Sequence, residues 1–412
     1  MDVQSQIGDQ TNRVIADQGL MRGLNRALVL RLLRREGRVS RADLSKHSGI
    51  SRSTISSIVA DLLAEGLVRE LGEGASKGGR RPILLEFNYQ SKYVIGVELG
   101  TTAMTAVVTD LEATVVHRRR LAFAVEEGPE RGLTVLEGLL RDLLPTAPTP
   151  GAICGVGIAL PSPVLYAEGR TVAPPGMQGW DRVALRDRLS ETIGLPVALD
   201  NDANLGALAE WRWGAGQNAR NLVYIYLAQT GIGGALMFGG TLYRGAVGSA
   251  GEIGHVVVEE GGPLCRCGNR GCLEAVASVP RLLQQAREAE LLGADGTLAE
   301  FLALAPHSAP ARRLLARVGE RLGVAIGGLI NLANPDRVVI GGPLADAGEL
   351  LLGPLRATAL QTALAIAARR VAIAQAALGP DVVALGAAAL ATEQLFVPAA
   401  LERPEALGVA LG

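Results

Sequence analysis

The stretch NLVYIYLAQTGIGGALMFGG, residues 221–240, reads as a strand, a glycine turn and a second strand. It repeats the pattern of YVIGVELGTTAMTAVVTDLEATVV at 93–116, which reads as strand, glycine turn, strand, turn, strand. Apolar runs of this length bounded by turn residues mark buried strands. Meeting the unit twice in one chain predicts a duplicated α/β fold. Gly100, Thr101 and Thr102 sit in the first turn, and Thr230, Gly231 and Gly233 in the second. Such turns can offer backbone N–H groups and hydroxyls to phosphate, although many hairpins carry glycine for the turn alone. Outward from these two hairpins, GAICGVGIALPSPV (151–164) is a buried strand leading into a Pro-broken loop. DRVVIGGPLADAG (336–348) is a strand entering a Gly-Gly turn and helix, and VVALGAAALATEQL (382–395) reads as a strand with a closing helix.

Between the hairpins, LPVALDNDANLGALAEWRWGAG (195–216) runs from a strand through a polar cluster into a helix from about Ala203. Asp200 and Asp202, with Asn201 and Asn204, place two carboxylates and two amides where a polyol could be gripped. The alternative is that Asp202 merely caps the helix. The most specific feature follows the second hairpin. His255 is followed, after nine residues, by Cys265-Arg-Cys267-Gly-Asn-Arg-Gly-Cys272. One imidazole and three thiolates make a tetrahedral Cys₃His set suited to Zn²⁺, with glycines at 261, 262, 268 and 271 permitting tight ligand loops. Four filled positions predict a closed, structural site. Cys154 lies apart in an apolar strand and is expected in the core.

The N-terminal segment has a different character. LNRALVLRLLRRE (24–36) is a helix with one apolar face, stopped by Gly37. Ser40 caps a short helix ending at Gly49, and Ser51 caps a third ending at Gly66. The third helix buries Ile55, Ile58, Val59, Leu62 and Leu63 and presents Arg52, Ser53, Thr54, Ser56 and Ser57 on the opposite face. Small hydroxyls and an arginine at a helix N-terminus suit phosphate and base edges. Two short strands then flank a Gly-rich basic tip carrying Lys77, Arg80 and Arg81. Together these elements predict a winged helix-turn-helix over 21–90 that binds double-stranded DNA, with 1–20 as a tail. The competing reading is a small helical protein-binding module.

Charge agrees with the DNA reading. The 412 residues carry 40 Lys+Arg and 41 Asp+Glu, for a net charge of −1. Residues 1–90 hold 14 basic and 10 acidic side chains, and 91–412 hold 26 basic and 31 acidic. A basic end joined to an acidic remainder is the distribution expected when one end meets a polyanion. At 48% hydrophobic and 20% charged, the chain can bury cores. There is no signal-peptide pattern and no membrane-length apolar run. Four cysteines, three of them clustered, exclude a disulfide framework. A cytoplasmic protein is expected.

ELGTT at 98–102, DNDAN at 200–204, QTGIGGA at 229–235, GEIGH at 251–255, CRCGNRGCLE at 265–274 and NPDRVVIGG at 334–342 resemble, in order, the motifs of the ROK family of repressors, open reading frames and kinases of sugar metabolism. The likeness spans about 91–395, and the winged helix with GRRP at 79–82 resembles the family's repressor branch. The resemblance implies a two-lobed, ribonuclease-H-like body of the actin and hexokinase type with a sugar cleft between lobes. The expected small lobe is 91–200 plus 380–412, and the expected large lobe, with the zinc site, is 201–379. It further implies that Asn201, Asp202, Glu252, His255 and Glu274 hold sugar hydroxyls, and that Asp202 would be the general base in a kinase. His255 would serve both metal and sugar, so that Zn²⁺ orders the loop that supplies Glu252 and Glu274.

This sequence departs from the kinase pattern. Glu98 replaces an Asp, Gly100-Thr101-Thr102 replaces Gly-Gly-Thr, Gln229 and Ala235 alter the second turn, and Gly176 stands where a sugar-contacting Asn is expected. These changes weigh against binding of ATP and Mg²⁺ at the two turns. The expectation is therefore a sugar-responsive repressor of carbohydrate-metabolism genes, acting as a homodimer or homotetramer. The alternative is a glucokinase-like sugar kinase that retains a DNA-binding domain.

Overall fold

The computed structural model describes residues 18–73, 81–172 and 177–396. The chain divides into two compact units, Met1–Ser91 with Glu393–Gly412, and Lys92–Thr392.

The first unit contains α1 (Gln18–Glu36), β1 (Val39–Ser40), α2 (Arg41–Ser48), α3 (Arg52–Ala64), β2 (Val68–Glu73) and β3 (Ile83–Phe87). Ser40 and Asp43 form a capping box, Ser40 Oγ accepting from Asp43 N at 3.2 Å. Gly49, at φ +72°, then turns the chain out of α2. Ser51 Oγ accepts from Thr54 N at 3.2 Å and starts α3. The strands form a sheet in the order β1-β3-β2, so the wing hairpin gains a short third strand that the sequence reading omitted. Leu30, Leu33, Leu44, Ile55, Leu62, Leu85 and Phe87 are fully buried between helices and sheet. Leu63, expected on the buried face of α3, is only half-buried. Phe396 completes this core edge, its ring centroid 5.9 Å from that of Phe87 and 5.0 Å from the Arg34 guanidinium. Residues 393–396, expected in the small lobe, group with this unit.

The second unit begins with the meander β4 (Tyr93–Leu99), β5 (Ala103–Asp110) and β6 (Val115–Ala122). It continues through α4 (Pro129–Leu143), β7 (Ile153–Leu160), the two-residue strands β8 (Val164–Leu165) and β9 (Arg170–Thr171), α5 (Leu185–Ile193) and β10 (Val197–Asn201). After α6 (Asp202–Trp213) comes a second meander, β11 (Leu222–Leu227), β12 (Ile232–Phe238) and β13 (Thr241–Tyr243). Helices α7 (Leu273–Ala277), α8 (Val279–Glu288), α9 (Leu298–Leu304) and α10 (Ala309–Ala333) precede β14 (Arg337–Gly341). The chain then forms α11 (Glu349–Thr362), α12 (Ala365–Ala368), β15 (Ala372–Gln375) and α13 (Val382–Gln394).

The two sheets run β6-β5-β4-β7-β10 and β13-β12-β11-β14-β15. Each places its third strand at one edge, then the second, first, fourth and fifth, and in each the last two join in parallel. The two hairpins read from sequence are thus the opening meanders of two copies of one α/β topology. Helices α6 and α13 contribute to one core with residues of both sheets, including Ala159, Ala198, Tyr224, Tyr226 and Val339. Residues 382–395 do not begin with a strand; they are helical from Val382, and β15 precedes them. A short, uniformly apolar run fits a buried helix as well as a strand. Its alanines and glycine match backbone-to-backbone packing: a Cβ on Gly157 would lie 1.8 Å from Ala387 O, and one on Gly96 2.0 Å from Ala384 O. No helix among the described residues is long and apolar enough to cross a membrane.

Candidate functional site

In the second unit, a cleft opens beside the N-terminus of α6 and the turn between β11 and β12. Its lining includes Asn201, Asp202, Glu252, His255 and Glu274, all five residues that the family pattern implied for a sugar. Thr230, Gly231 and Gly233 of the second turn line the same cleft, whereas Gly100, Thr101 and Thr102 do not.

The carboxylates of this region have distinct surroundings. Asp200 does not grip the cleft: it is buried, paired with Arg244 at 2.7 Å, and accepts from Asn204 Nδ2 at 2.8 Å. Asn201, rather than Asp202, is the N-cap of α6, its Oδ1 accepting from Ala203 N at 2.9 Å and Asn204 N at 3.3 Å. Its Nδ2 donates to Ser162 O at 3.2 Å. Asp202 Oδ1 accepts from Ala203 N at 2.7 Å. Burial, reinforced by Glu98 and Glu252, pushes the Asp202 carboxyl up to about 7. Glu252 is also raised, by burial first. Glu274 Oε2 accepts from Ile232 N at 3.1 Å, and its carboxylate is bridged by Arg266, Nε to Oε1 at 2.7 Å and Nη2 to Oε2 at 2.9 Å.

The two glycine turns approach one another at their threonines. Thr101 Oγ1 and Thr230 Oγ1, one from each turn, are 3.4 Å apart. Glu98 receives the Tyr226 hydroxyl at 3.3 Å, and burial pushes its carboxyl up to about 7.

His255, Cys265, Cys267 and Cys272 bring their ligand atoms within 4.8 Å of one another. His255 Nδ1 lies 3.6 Å from Cys265 Sγ, and Cys267 Sγ lies 3.7 Å from Cys272 Sγ. A tetrahedral Zn²⁺ with ordinary Zn–S and Zn–N bonds needs edges of about 3.8 Å between sulfurs and about 3.6 Å from nitrogen to sulfur. The donor set and its spacing fit that ion. His255 Nε2 faces the other way, 3.9 Å from Glu252 Oε2 on the cleft. Cys154 is half-buried rather than core, its thiol donating to Tyr93 O at 3.3 Å, and burial pushes it up to about 11.

In the first unit, Arg52, Ser53 and Ser56 are exposed on the first turns of α3. Thr54 is half-buried, and its hydroxyl lies 2.8 Å from Ser51 Oγ. Ser56 donates to Arg52 O at 2.8 Å, so its oxygen rather than its proton is available. Arg81 is exposed at the foot of the wing, while Lys77 and Arg80 lie outside the described residues. Many cations of this unit are spent internally: Arg22 on Asp61, Arg26 on Glu65, Arg41 on Glu70, Arg69 on Glu86. Lys46 is exposed, beside the turn into α3, and makes no ion pair among the described residues. Sequence reading passed over it, although a lysine in the last turn before the helix-turn-helix loop was there to be seen.

Comparison with known proteins places these features. The ROK family matches residues 94–394, and a winged helix-turn-helix DNA-binding domain matches 26–69. The chain is 31% identical to the xylose repressor of Bacillus subtilis over 93% of its own length and 98% of the relative's. It is 33% identical to a glucokinase of Thermotoga maritima, with 73% of this chain and 98% of that one covered. Among solved structures, a ROK family transcriptional regulator described as a homologue of the Escherichia coli Mlc protein aligns with a TM-score of 0.82 and 26% identity, covering 94% of this chain and 99% of that one. With a winged helix-turn-helix ahead of a duplicated α/β body, the chain belongs to the ROK family.

Proposed function

We propose that the chain is a sugar-responsive, DNA-binding transcriptional repressor of carbohydrate-metabolism genes. The observation that carries this reading is the joining of a winged helix-turn-helix to a body whose acidic cleft stands beside glycine turns bridged by Thr101 and Thr230. Similarity to a xylose repressor along nearly the whole chain supports it and names a pentose to try first. In this reading Asn201, Asp202, Glu252, His255 and Glu274 contact the hydroxyls of the effector. Carboxylates accept and the imidazole and amide donate, so a ligand lacking a hydroxyl leaves a polar group unpaired. Zn²⁺ on His255, Cys265, Cys267 and Cys272 has a structural role, ordering the loop between Glu252 and Glu274. Arg52, Ser53, Thr54 and Ser56 of α3 meet the operator, and Lys77, Arg80 and Arg81 of the wing meet its backbone. Operators read by winged helices generally come as two half-sites, which makes a homodimer the expected assembly.

The deciding experiment is binding of the purified protein to its own promoter region across a salt series, with and without D-xylose. Salt-sensitive binding that xylose alters is expected. No salt-sensitive binding would sink the proposal. Replacing Arg52 and Arg80 by Ala should abolish the binding; intact function in that variant would favour a protein-binding module.

A second reading, a sugar kinase that also binds DNA, is favoured by Asp202, whose raised carboxyl in the cleft is suited to a general base. The similarity to a glucokinase supports the same reading. An ADP-release assay over hexoses, pentoses and N-acetyl sugars tests it. No turnover is expected, because Glu98, Thr101, Gln229 and Ala235 depart from the kinase pattern at the two phosphate turns.

A further inference from the structure

One cleft side chain has no part in that reading. Arg266 stands between Cys265 and Cys267, so its main chain is held on both sides by residues of the metal set. Its guanidinium bridges Glu274, whose side chain is only 7% exposed against 42% for Arg266. The pair rests directly on the second glycine turn: a Cβ on Gly231 would lie 2.4 Å from Glu274 Oε2 and 2.8 Å from Arg266 Nη2. Both side chains line the cleft.

The hydrogen-bond inventory of this corner is asymmetric. A carboxylate has about four acceptor positions. Arg266 Nε takes one on Oε1, and Arg266 Nη2 and Ile232 N take two on Oε2, which leaves one on Oε1. Arg266 Nη1 donates to no protein group among the described residues. The corner thus presents an acceptor and adjacent donors, the complement of a hydroxyl, which gives one hydrogen and takes another. Beside Asp202, Glu252, the His255 imidazole and the Asn201 amide, Arg266 adds a guanidinium, a fixed cationic donor, to this lining.

We propose that Arg266 is a specificity-determining contact of the effector site, acting with Glu274 to read one hydroxyl of a neutral sugar. This rests on the effector reading of the cleft. Arg is suited to the task because its planar fork can hold a carboxylate with two nitrogens and still donate with the third; an ammonium cannot.

The test is calorimetry on the full-length, zinc-loaded protein and on Arg266→Ala and Arg266→Lys. The probes are D-xylose, D-glucose and their monodeoxy analogues, with zinc content and DNA binding measured in parallel. The native protein should bind a parent sugar and bind one monodeoxy analogue on the order of tenfold more weakly or worse. Arg266→Ala should lose a similar factor on the parent sugar and no longer distinguish that analogue, while keeping zinc and DNA binding. Arg266→Lys should not restore the discrimination. A merely structural role would weaken all ligands alike and leave the analogue ratio in place. Parent affinity that is unchanged or tighter in Arg266→Ala, or a preserved ratio, overturns the proposal. Should Arg266→Ala fail to fold, Gly231→Ala, whose methyl displaces the pair from the turn, must show the same lost ratio; a preserved one overturns it equally. Absence of any sugar binding by the native protein overturns the effector reading itself, and this inference with it.

Discussion

Asn201 and Asp202 are adjacent in sequence and have different tasks. Asn201 caps α6 with its Oδ1 and gives one amide hydrogen to the Ser162 carbonyl, which fixes the corner where β10 becomes a helix and leaves the second amide hydrogen for the cleft. Asp202 also lines the cleft, with burial raising its carboxyl from 3.8 to about 7. The sign of the consequence follows by linkage. Between about pH 4 and pH 7 the folded protein holds a proton that the unfolded chain has released, so stability declines as pH rises through that window. Asp202→Asn removes the ionisation, and its advantage in Tm over the native protein should be near zero at pH 4 and grow to a plateau by about pH 8. The ceiling is about 4 kcal/mol, since each unit of displacement is worth about 1.4 kcal/mol. Relaxation around the ionised group will bring the measured gain below that. A gain that is flat with pH would show that Asp202 carries no buried charge penalty. The same variant should lose sugar binding, so stability and function are opposed at this residue.

At the scale of elements, packing is set by small residues. Helix α13 lies against β4 and β7 where Gly96 and Gly157 leave no room for a side chain. Gly157→Ala would force a methyl into Ala387 O and should cost about 3 kcal/mol or more in denaturant unfolding. A cost under about 1 kcal/mol would mean that α13 can shift freely. The metal loop is the second element with a measurable consequence. Cys267→Ser removes a thiolate from the cluster and should lower Tm, zinc content and sugar affinity together, because one loop supplies the metal residues and also Glu274. Unchanged sugar binding in the zinc-free variant would separate the two.

How far these elements were legible varies with the kind of signal. The caps Ser40 and Ser51, the glycine stops of the N-terminal helices and the two meanders could be read because each leaves a local residue pattern. The His255 and cysteine spacing was equally local, and its four residues do converge. Residues 382–395 misled, because a helix packed on several sides has no polar face to reveal its period. Asp200 misled for another reason: its partner, Arg244, is far along the chain, and no spacing rule joins them. The use of Phe396 in the core of the first unit was illegible on the same ground.

Over the whole molecule, the net charge of −1 is a cancellation between a basic N-terminal segment and an acidic remainder. Even within the first unit the excess is selective, since Arg22, Arg26, Arg41 and Arg69 are neutralised in place, whereas Lys46 and Arg52 remain exposed near the turn from α2 to α3. Those two, with the wing cations Lys77, Arg80 and Arg81, should govern the electrostatics of DNA binding rather than total charge. Arg52→Ala is expected to lower the slope of log affinity against log salt by about 1 if it meets a phosphate, and to weaken different sequences alike. Loss confined to one base position would mean that it reads a base edge instead. If the sugar acts on DNA binding through the protein's conformational equilibrium, the two affinities are bound by reciprocity. The factor by which xylose changes operator affinity must equal the factor by which operator changes xylose affinity. Titrating xylose into free protein and into protein saturated with operator DNA measures the second factor directly, and a gel-shift series at saturating xylose measures the first. Equal factors, of about 5-fold to 150-fold for ordinary allosteric coupling, are expected at matched salt. Strong release of DNA with no change in sugar affinity would violate linkage for a 1:1 coupled system, and would show that sugar acts on assembly of the protein rather than on each chain.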